Sequence, residues 1–258
     1  MADAFFHRDG DVLVGNDAAR GPWDEAACHA GPVTGAIVGA AEAVVEGKQL
    51  ARVTANYLRP VPVAGFRLKA EVQRDGRTTA LVTVALTDAG DRVCATTECL
   101  FIATTPAQVP SATLAGPTFE ESVPGEFPVR KPLHDRPGFR DFIDIRYPPG
   151  EDGDPGPTTL WMRAPPIIAG EATSAFQSLC PLADCGNGIS RNTELSDATC
   201  INADLTIQVS RLPQSEWLAA RSISFWEQNG VGLSHSLLFD TRGPIGAALQ
   251  SLVVRARR

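Results

Sequence analysis

Net positive charge is missing from this sequence: 23 Lys and Arg stand against 30 Asp and Glu, a formal charge of −7 at pH 7. That balance offers no general attraction for a polyanionic duplex or an anionic bilayer surface, so neither nucleic acid nor membrane is an expected partner. Long apolar runs are missing too. No stretch approaches the roughly 18–20 residues needed to span a bilayer, and the N-terminus, through Phe5, Phe6 and Asp9, is acidic where a secretory signal would be basic and then apolar. The chain is accordingly read as cytoplasmic. Cysteine is sparse, six residues (Cys28, Cys94, Cys99, Cys180, Cys185, Cys200) with no Cys-x-x-Cys pair. Small buried thiols are expected rather than a disulfide framework. The histidines His7, His29, His134 and His235 stand at no ligand spacing from one another or from a cysteine, and no metal is expected. No Gly-x-Ser-x-Gly elbow occurs, which removes the serine-nucleophile arrangement built on it.

What is present is a loop-rich globular composition, 43% apolar with 23 Gly and 20 Pro in 258 residues, long enough for one large core or two small ones. The chain also resembles itself. Laid over each other without a gap at an offset of 152 residues, Val53–Phe101 and Leu205–Val253 bring together Thr54 with Thr206, Arg59 with Arg211, Asp88 with Asp240 and Glu98 with Gln250, and their apolar patterns and turns coincide. In the first copy, Val33, Ile37, Ala40, Ala41 and Val44 predict a helix over Gly31–Glu46, almost uncharged and so wrapped by other elements. Strands follow at Ala51–Leu58, Phe66–Arg74, Thr78–Thr87 and Arg92–Thr104, with short turns that imply hairpins. The second copy predicts a helix over Ala175–Arg191, then strands at Ile201–Arg211, Trp217–Trp226, Gly232–Phe239 and Ile245–Arg255. A long apolar helix wrapped by a curved antiparallel sheet is the hotdog layout. Two copies make an α+β double hotdog, with the two sheets expected to join edge to edge. The expected organisation is an N-terminal hotdog over 1–104, a linker over 105–140 with seven prolines, and a C-terminal hotdog over 141–258.

Most of the chain also resembles the double-hotdog acyl-CoA thioesterases of the thioesterase II type. The likeness is carried by His29-Ala30-Gly31-Pro32-Val33-Thr34-Gly35, Asn56-Tyr57-Leu58-Arg59-Pro60 and Thr97-Glu98-Cys99-Leu100-Phe101 in the first copy. In the second it is carried by Leu182-Ala183-Asp184-Cys185-Gly186-Asn187-Gly188, Asn202-Ala203-Asp204-Leu205-Thr206 and Ala248-Leu249-Gln250. The resemblance implies hydrolysis of a fatty acyl-CoA thioester by a water held between an aspartate, a hydroxyl residue and a glutamine. Carried over by position these are Asp184, Asn202 and Gln250. Asn202 departs from the pattern, because an amide can orient a water but cannot relay a proton as a hydroxyl does. Under the gapless overlay Asp184 falls on Pro32, Asn202 on Leu50 and Gln250 on Glu98, so the first copy lacks the set.

Such hydrolysis needs an activated water and stabilisation of the charge that develops on the carbonyl oxygen. Asp184 is the candidate base, and Asn202 and Gln250 are candidate partners of the water. Backbone N–H groups near Gly31, Gly186 and Gly188 are candidate oxyanion donors, and His29 is a candidate pocket residue. Arg59 and Arg211, at matching positions, are candidates for the phosphates of coenzyme A. Each has a structural alternative: Asp184 as a turn or helix-cap residue, Asn202 as an edge residue, Gln250 as one half of a buried pair. Coenzyme A would be part of the substrate, with no separate cofactor, and a homo-oligomer is expected from the resemblance. Two other functions fit the same fold: an acyl-CoA-binding protein without turnover, and a dehydratase or hydratase, for which His29 would have to come from the other copy.

Overall fold

A computed structural model describes residues 4–130 and 133–257, which leaves Pro132 of the proline-rich segment outside the described residues. In chain order the elements are β1 (Phe6–Asp9), β2 (Val12–Gly15), α1 (Ala30–Glu42), β3 (Gln49–Tyr57), β4 (Phe66–Asp75), β5 (Thr79–Asp88), β6 (Val93–Ile102), β7 (Val123–Gly125), β8 (Asp144–Tyr147), β9 (Thr158–Arg163), α2 (Ala175–Ala183), α3 (Gly186–Ile189), β10 (Ala198–Asn202), β11 (Asp204–Val209), β12 (Leu218–Trp226), β13 (Val231–Asp240) and β14 (Gly243–Ala256). The strands form one 14-stranded sheet in the order β1-β2-β4-β5-β6-β3-β11-β14-β13-β12-β9-β8-β7, with β10 pairing β14 off this path. From β1 to β8 this order is a palindrome of equivalent strands, and it is a double hotdog.

The sheets join at β3 and β11. Thr54 lies opposite Thr206, Arg52 opposite Gln208 and Asn56 opposite Asp204. A shift of 152 residues exchanges the last two pairs, so a pseudo-two-fold axis passes through Thr54 and Thr206, whose Oγ1 atoms are 3.4 Å apart. The expected edge-to-edge junction is therefore present. The 152-residue offset holds where the loops of the two copies have equal length.

The two central helices cross antiparallel on the inner face of the sheet. A Cβ at Gly31 would stand 2.9 Å from Pro181 Cα, so only glycine admits the α2 backbone this close. Between helices and sheet, Val33 and Ile37 of α1, Phe176 and Leu179 of α2, and the strand residues Val53, Val82, Leu86, Cys99, Phe101, Leu205 and Ile207 are buried. Alternation in β5 is regular, every second residue from Ala80 to Asp88 being buried.

Three expectations are corrected. The second helix is not continuous over Ala175–Arg191; it ends at Ala183 with Asp184 as C-cap and resumes as α3. Pro181 and the glycines at 186 and 188 are poor at continuing a helix. The helices also do not follow the 152-residue offset. Their N-caps are His29 and Ser174, so within the helices the offset is 145 and Asp184 matches Gly39, not Pro32. Finally, Gln250 does not match Glu98. Ser234 lies opposite Gln250, whereas Val82, the equivalent of Ser234, lies opposite Cys99. The turn from Asp240 to Gly243 is one residue shorter than that from Asp88 to Arg92. A one-residue slip moves a strand's side chains to the other face, which is why Gln250 points into the core while Glu98 points outward to Arg52.

The described residues of 105–140 are mostly outside any helix or strand, with β7 pairing β8 and a short 3₁₀ turn at Phe139–Asp141. The segment's later part is docked rather than free: Leu133 N donates to Pro22 O and Phe139 N to Arg20 O.

Candidate functional site

Asp184 is the C-cap of α2, in the break before α3, and is 3% exposed. A carboxylate at that depth must be satisfied by neighbours. Its Oδ1 accepts from Asn202 Nδ2 at 2.9 Å and from Gln250 Nε2 at 3.3 Å. Its Oδ2 lies 3.1 Å from His29 Nδ1. The three residues proposed from the sequence are thus in contact around one carboxylate, and His29 of the first copy completes the ring from the far side.

The sheet and helices fix each member. Asn202 ends β10, and its Nδ2 also donates to Asp204 O at 3.3 Å. Gln250 is central in β14 and 1% exposed; its Nε2 donates to Asp184 O at 2.8 Å and its Oε1 accepts from Asn187 N at 2.9 Å. Gln250 therefore stands behind Asp184, locking the base and the first turn of α3 together. His29, as N-cap of α1, accepts from Gly31 N at 3.2 Å, and its ring stacks on Phe139 with centroids 4.0 Å apart. Since Nδ1 faces both the Gly31 N–H and the Asp184 carboxyl, a hydrogen on Nδ1 serves Asp184 and a bare Nδ1 serves Gly31.

α3 reaches this position because the strands beneath it carry serine. A Cβ at Gly186 would stand 2.6 Å from Ser236 Oγ, 2.8 Å from Ser234 Oγ and 3.1 Å from Gln250 Oε1. Glycine above and serine below let the backbone settle onto the sheet, and Ser190 Oγ then meets Ser224 Oγ at 2.8 Å. Gly186 and Gly31 are thus packing glycines. The N–H groups of Asn187 and Gly188 are engaged within the protein, by Gln250 and by Asn187 Oδ1.

A pocket of about 330 Å³ opens over the carboxylate. Its apolar wall includes Trp23, Leu58, Val61 and Ile201, closed on one side by Phe127 and Val129 from the proline-rich segment. Its polar lining is Asp24, His29, Tyr57, Arg59, Asp184, Asn187 and Asn202, with Gly188 at its edge. Arg59 is exposed and donates to Val93 O at 2.6 Å. Arg211 is elsewhere, paired with both oxygens of buried Asp240 at 2.7 and 2.6 Å. Cys185 also lines the pocket, but burial first and the Asp184 charge second push its thiol far above the usual range, which leaves it un-ionised.

The residue that the sequence reading passes over is Tyr57. Its hydroxyl lies 2.7 Å from Thr34 Oγ1, and burial, then the charge of Asp184, push its phenol well up. Its signal in the sequence is slight: one of two tyrosines, at the end of a strand.

Two family models match the chain, acyl-CoA thioesterase N-terminal domain over residues 19–102 and acyl-CoA thioesterase C-terminal domain over residues 106–254. No curated protein sequence matches it. Among solved structures, one from Novosphingobium aromaticivorans is 22% identical with a TM-score of 0.76, covering 96% of this chain and 98% of that one. A tesB protein of Mycobacterium avium subs paratuberculosis is 13% identical (TM-score 0.70, 97% and 95% covered). An acyl-CoA thioesterase II of Mycobacterium marinum is 17% identical (TM-score 0.65, 96% and 93% covered). At these identities the structures speak for the fold, and the family models for the family.

Proposed function

Because the chain belongs to the acyl-CoA thioesterase family, we propose that it hydrolyses acyl-CoA to free acid and coenzyme A with Asp184 as the general base. The observation that carries this reading is the buried Asp184 carboxylate, oriented by Asn202 and Gln250 and open to an apolar pocket. Asp184 takes a proton from water as the water oxygen bonds to the thioester carbon. Collapse of the tetrahedral intermediate breaks the C–S bond, and the thiolate recovers the proton from Asp184. Asn202 and Gln250 act by holding the carboxylate, and His29, in the tautomer with the hydrogen on Nδ1, by fixing its second oxygen. The apolar wall receives the acyl chain, and Arg59, on the same lining, meets the coenzyme A phosphates. Water is the only co-reactant, so no further cofactor is needed.

The test is free coenzyme A release from short, medium, long and aromatic acyl-CoAs, with Asp184→Ala beside the wild type. Release that vanishes in the variant supports the reading, and equal release from both overturns it. Acyl-CoA binding by calorimetry without release would identify a binding protein instead. One observation favours keeping a hydratase in the panel: His29 and Asp184, an imidazole and a carboxylate, do meet from the two copies. A fall in enoyl-CoA absorbance would establish that chemistry.

The six thiols are free, which suits a reducing cytoplasm, and among the described residues no helix is long and apolar enough to cross a membrane. Self-association is expected through the outer face of the second copy, where Phe225, Val231, Leu233 and Val253 are exposed. Light scattering on the purified chain decides it.

A further inference from the structure

We propose that the Tyr57 hydroxyl, backed by Thr34, holds the second hydrogen of the attacking water, so that the first copy contributes the hydroxyl that position 202 lacks; this rests on the hydrolase reading above. An attacking water needs both of its hydrogens placed if its lone pair is to face the thioester carbon. Asp184 takes one. Asn202 Nδ2 donates to Asp184 and Asp204, which leaves its Oδ1 as the other acceptor beside the base; Gln250 stands behind the base, the Asn187 side chain is bonded to Cys200 O and Gly188 N, and Tyr57 carries the hydroxyl of the described pocket lining. His29 turns Nδ1 to Asp184 and Gly31 N, with its ring stacked on Phe139, while Asp24 accepts from Ala26 N in its own turn.

Tyr57 has acceptor capacity left, and the hydrogen count shows where. Thr34 Oγ1 lies 2.8 Å from Ala30 O, which accepts only, so the Thr34 hydrogen goes there. Tyr57 must then donate to Thr34 at 2.7 Å, which leaves its oxygen lone pairs free toward the pocket that it lines. The backbone N–H of Tyr57 donates to Ala203 O at 2.9 Å, which pins it beside Asn202.

The pseudo-symmetry supplies an independent argument. Around Asp184 the polar set is Asp184, Asn202 and Gln250 from the second copy with His29, Thr34 and Tyr57 from the first. At the symmetry-related place the counterparts are Gly39, Leu50 and Cys99 with Ser174, Leu179 and Val209. Thr34 and Tyr57 are polar where Asp184 is present, and their counterparts are apolar where it is absent. In the reaction one water O–H breaks toward Asp184 while the other stays bonded to Tyr57. The C–O bond forms, the C–S bond breaks, and the thiolate takes the proton held by Asp184.

The experiment measures kcat and KM of the full chain and of Tyr57→Phe for the best acyl-CoA, with binding of a thioether analogue followed by calorimetry. The expected result is a fall in kcat on the order of 10–100-fold, the scale of one hydrogen bond to a charged transition state, with analogue affinity within about two-fold of wild type. Unchanged kcat overturns the proposal, and so does a fall matched by equal loss of analogue binding, which would mark a packing role. Should Tyr57→Phe not fold, Thr34→Val tests the same pair: a fall of about 3- to 10-fold in kcat supports it, and wild-type kcat overturns it. An inactive Asp184→Ala beside a fully active Tyr57→Phe would leave the hydrolase reading standing and remove only this one. No coenzyme A release by the wild type would remove both.

Discussion

The pseudo-two-fold axis presents the same architecture twice, and among the described residues only one of the two related places carries the buried carboxylate with its amide partners. Where the second copy has Asp184, Asn202 and Gln250, the first has Gly39, Leu50 and Cys99. The vacated space is filled: a Cβ at Gly39 would stand 2.4 Å from Gln177 Nε2, which donates instead to Gly35 O at 3.0 Å. Even the floor differs, with Val82 and Val84 where the other copy has Ser234 and Ser236. The first copy is a close-packed core, and the second accepts buried polar groups so that a helix break can present a carboxylate. In this chain the buried carboxylate comes with more than its two amide partners: a floor of Ser234 and Ser236 lets α3 down onto the sheet.

The largest effect that would test this asymmetry is on turnover. Asp184→Asn is expected to lower kcat by on the order of 10³-fold or more, whereas Cys99→Ala, at the place matching Gln250, leaves kcat unchanged in a coenzyme A release assay; an inactive Cys99→Ala would show that both places serve catalysis. Next comes the register. Gln250→Ala is expected to cost about 10–100-fold in kcat, and Glu98→Ala, its partner under the gapless overlay, nothing. Equal effects would contradict the one-residue shift in β14.

The floor is tested by exchange. Ser236→Val copies Val84 into the second copy and should push Gly186 away. The expected result is about 1–3 kcal/mol of destabilisation in chemical denaturation and about a 10-fold lower kcat. The reverse change, Val84→Ser, should destabilise by a comparable amount with kcat intact. Smallest is a difference in acid sensitivity. Burial raises the Asp240 carboxyl, but Arg211 and the N–H groups of Gln214 and Arg242 outweigh it, so its net position is below the usual carboxylate range. A depressed folded-state value means stability that is full above the unfolded value, about 3.9, and is lost as pH falls through the folded one. Asp240→Asn should thus flatten the loss of stability below about pH 4. Its counterpart Asp88, also buried but held down chiefly by an Arg92 side chain that is 72% exposed, should matter less, because solvent screens that partner.

Much of this is legible in the sequence. Alternation in Thr79–Asp88, the hairpin turns and the uncharged stretch after Gly31 are local signals, and each became the element that its period implies. Asp184, Asn202 and Gln250 were legible through their resemblance to a family pattern. Their exact partners were not. The loss of one residue in the Asp240–Gly243 turn leaves no trace in composition, yet it decides whether position 250 or 249 faces inward. The break at Asp184 follows from Pro181 and nearby glycines only once the helix has to bend over the sheet.

The sequence by itself determined the double hotdog and the duplication, because hydrophobic period and turn chemistry act over a few residues and are written in order along the chain; the copy that carries the carboxylate came from the family resemblance. Only the tertiary structure decided that His29 of the first copy meets Asp184 of the second and that Tyr57 shares its pocket. Their juxtaposition comes from an antiparallel helix crossing and a strand junction across the pseudo-two-fold axis, between residues more than a hundred positions apart, where no local pattern reaches.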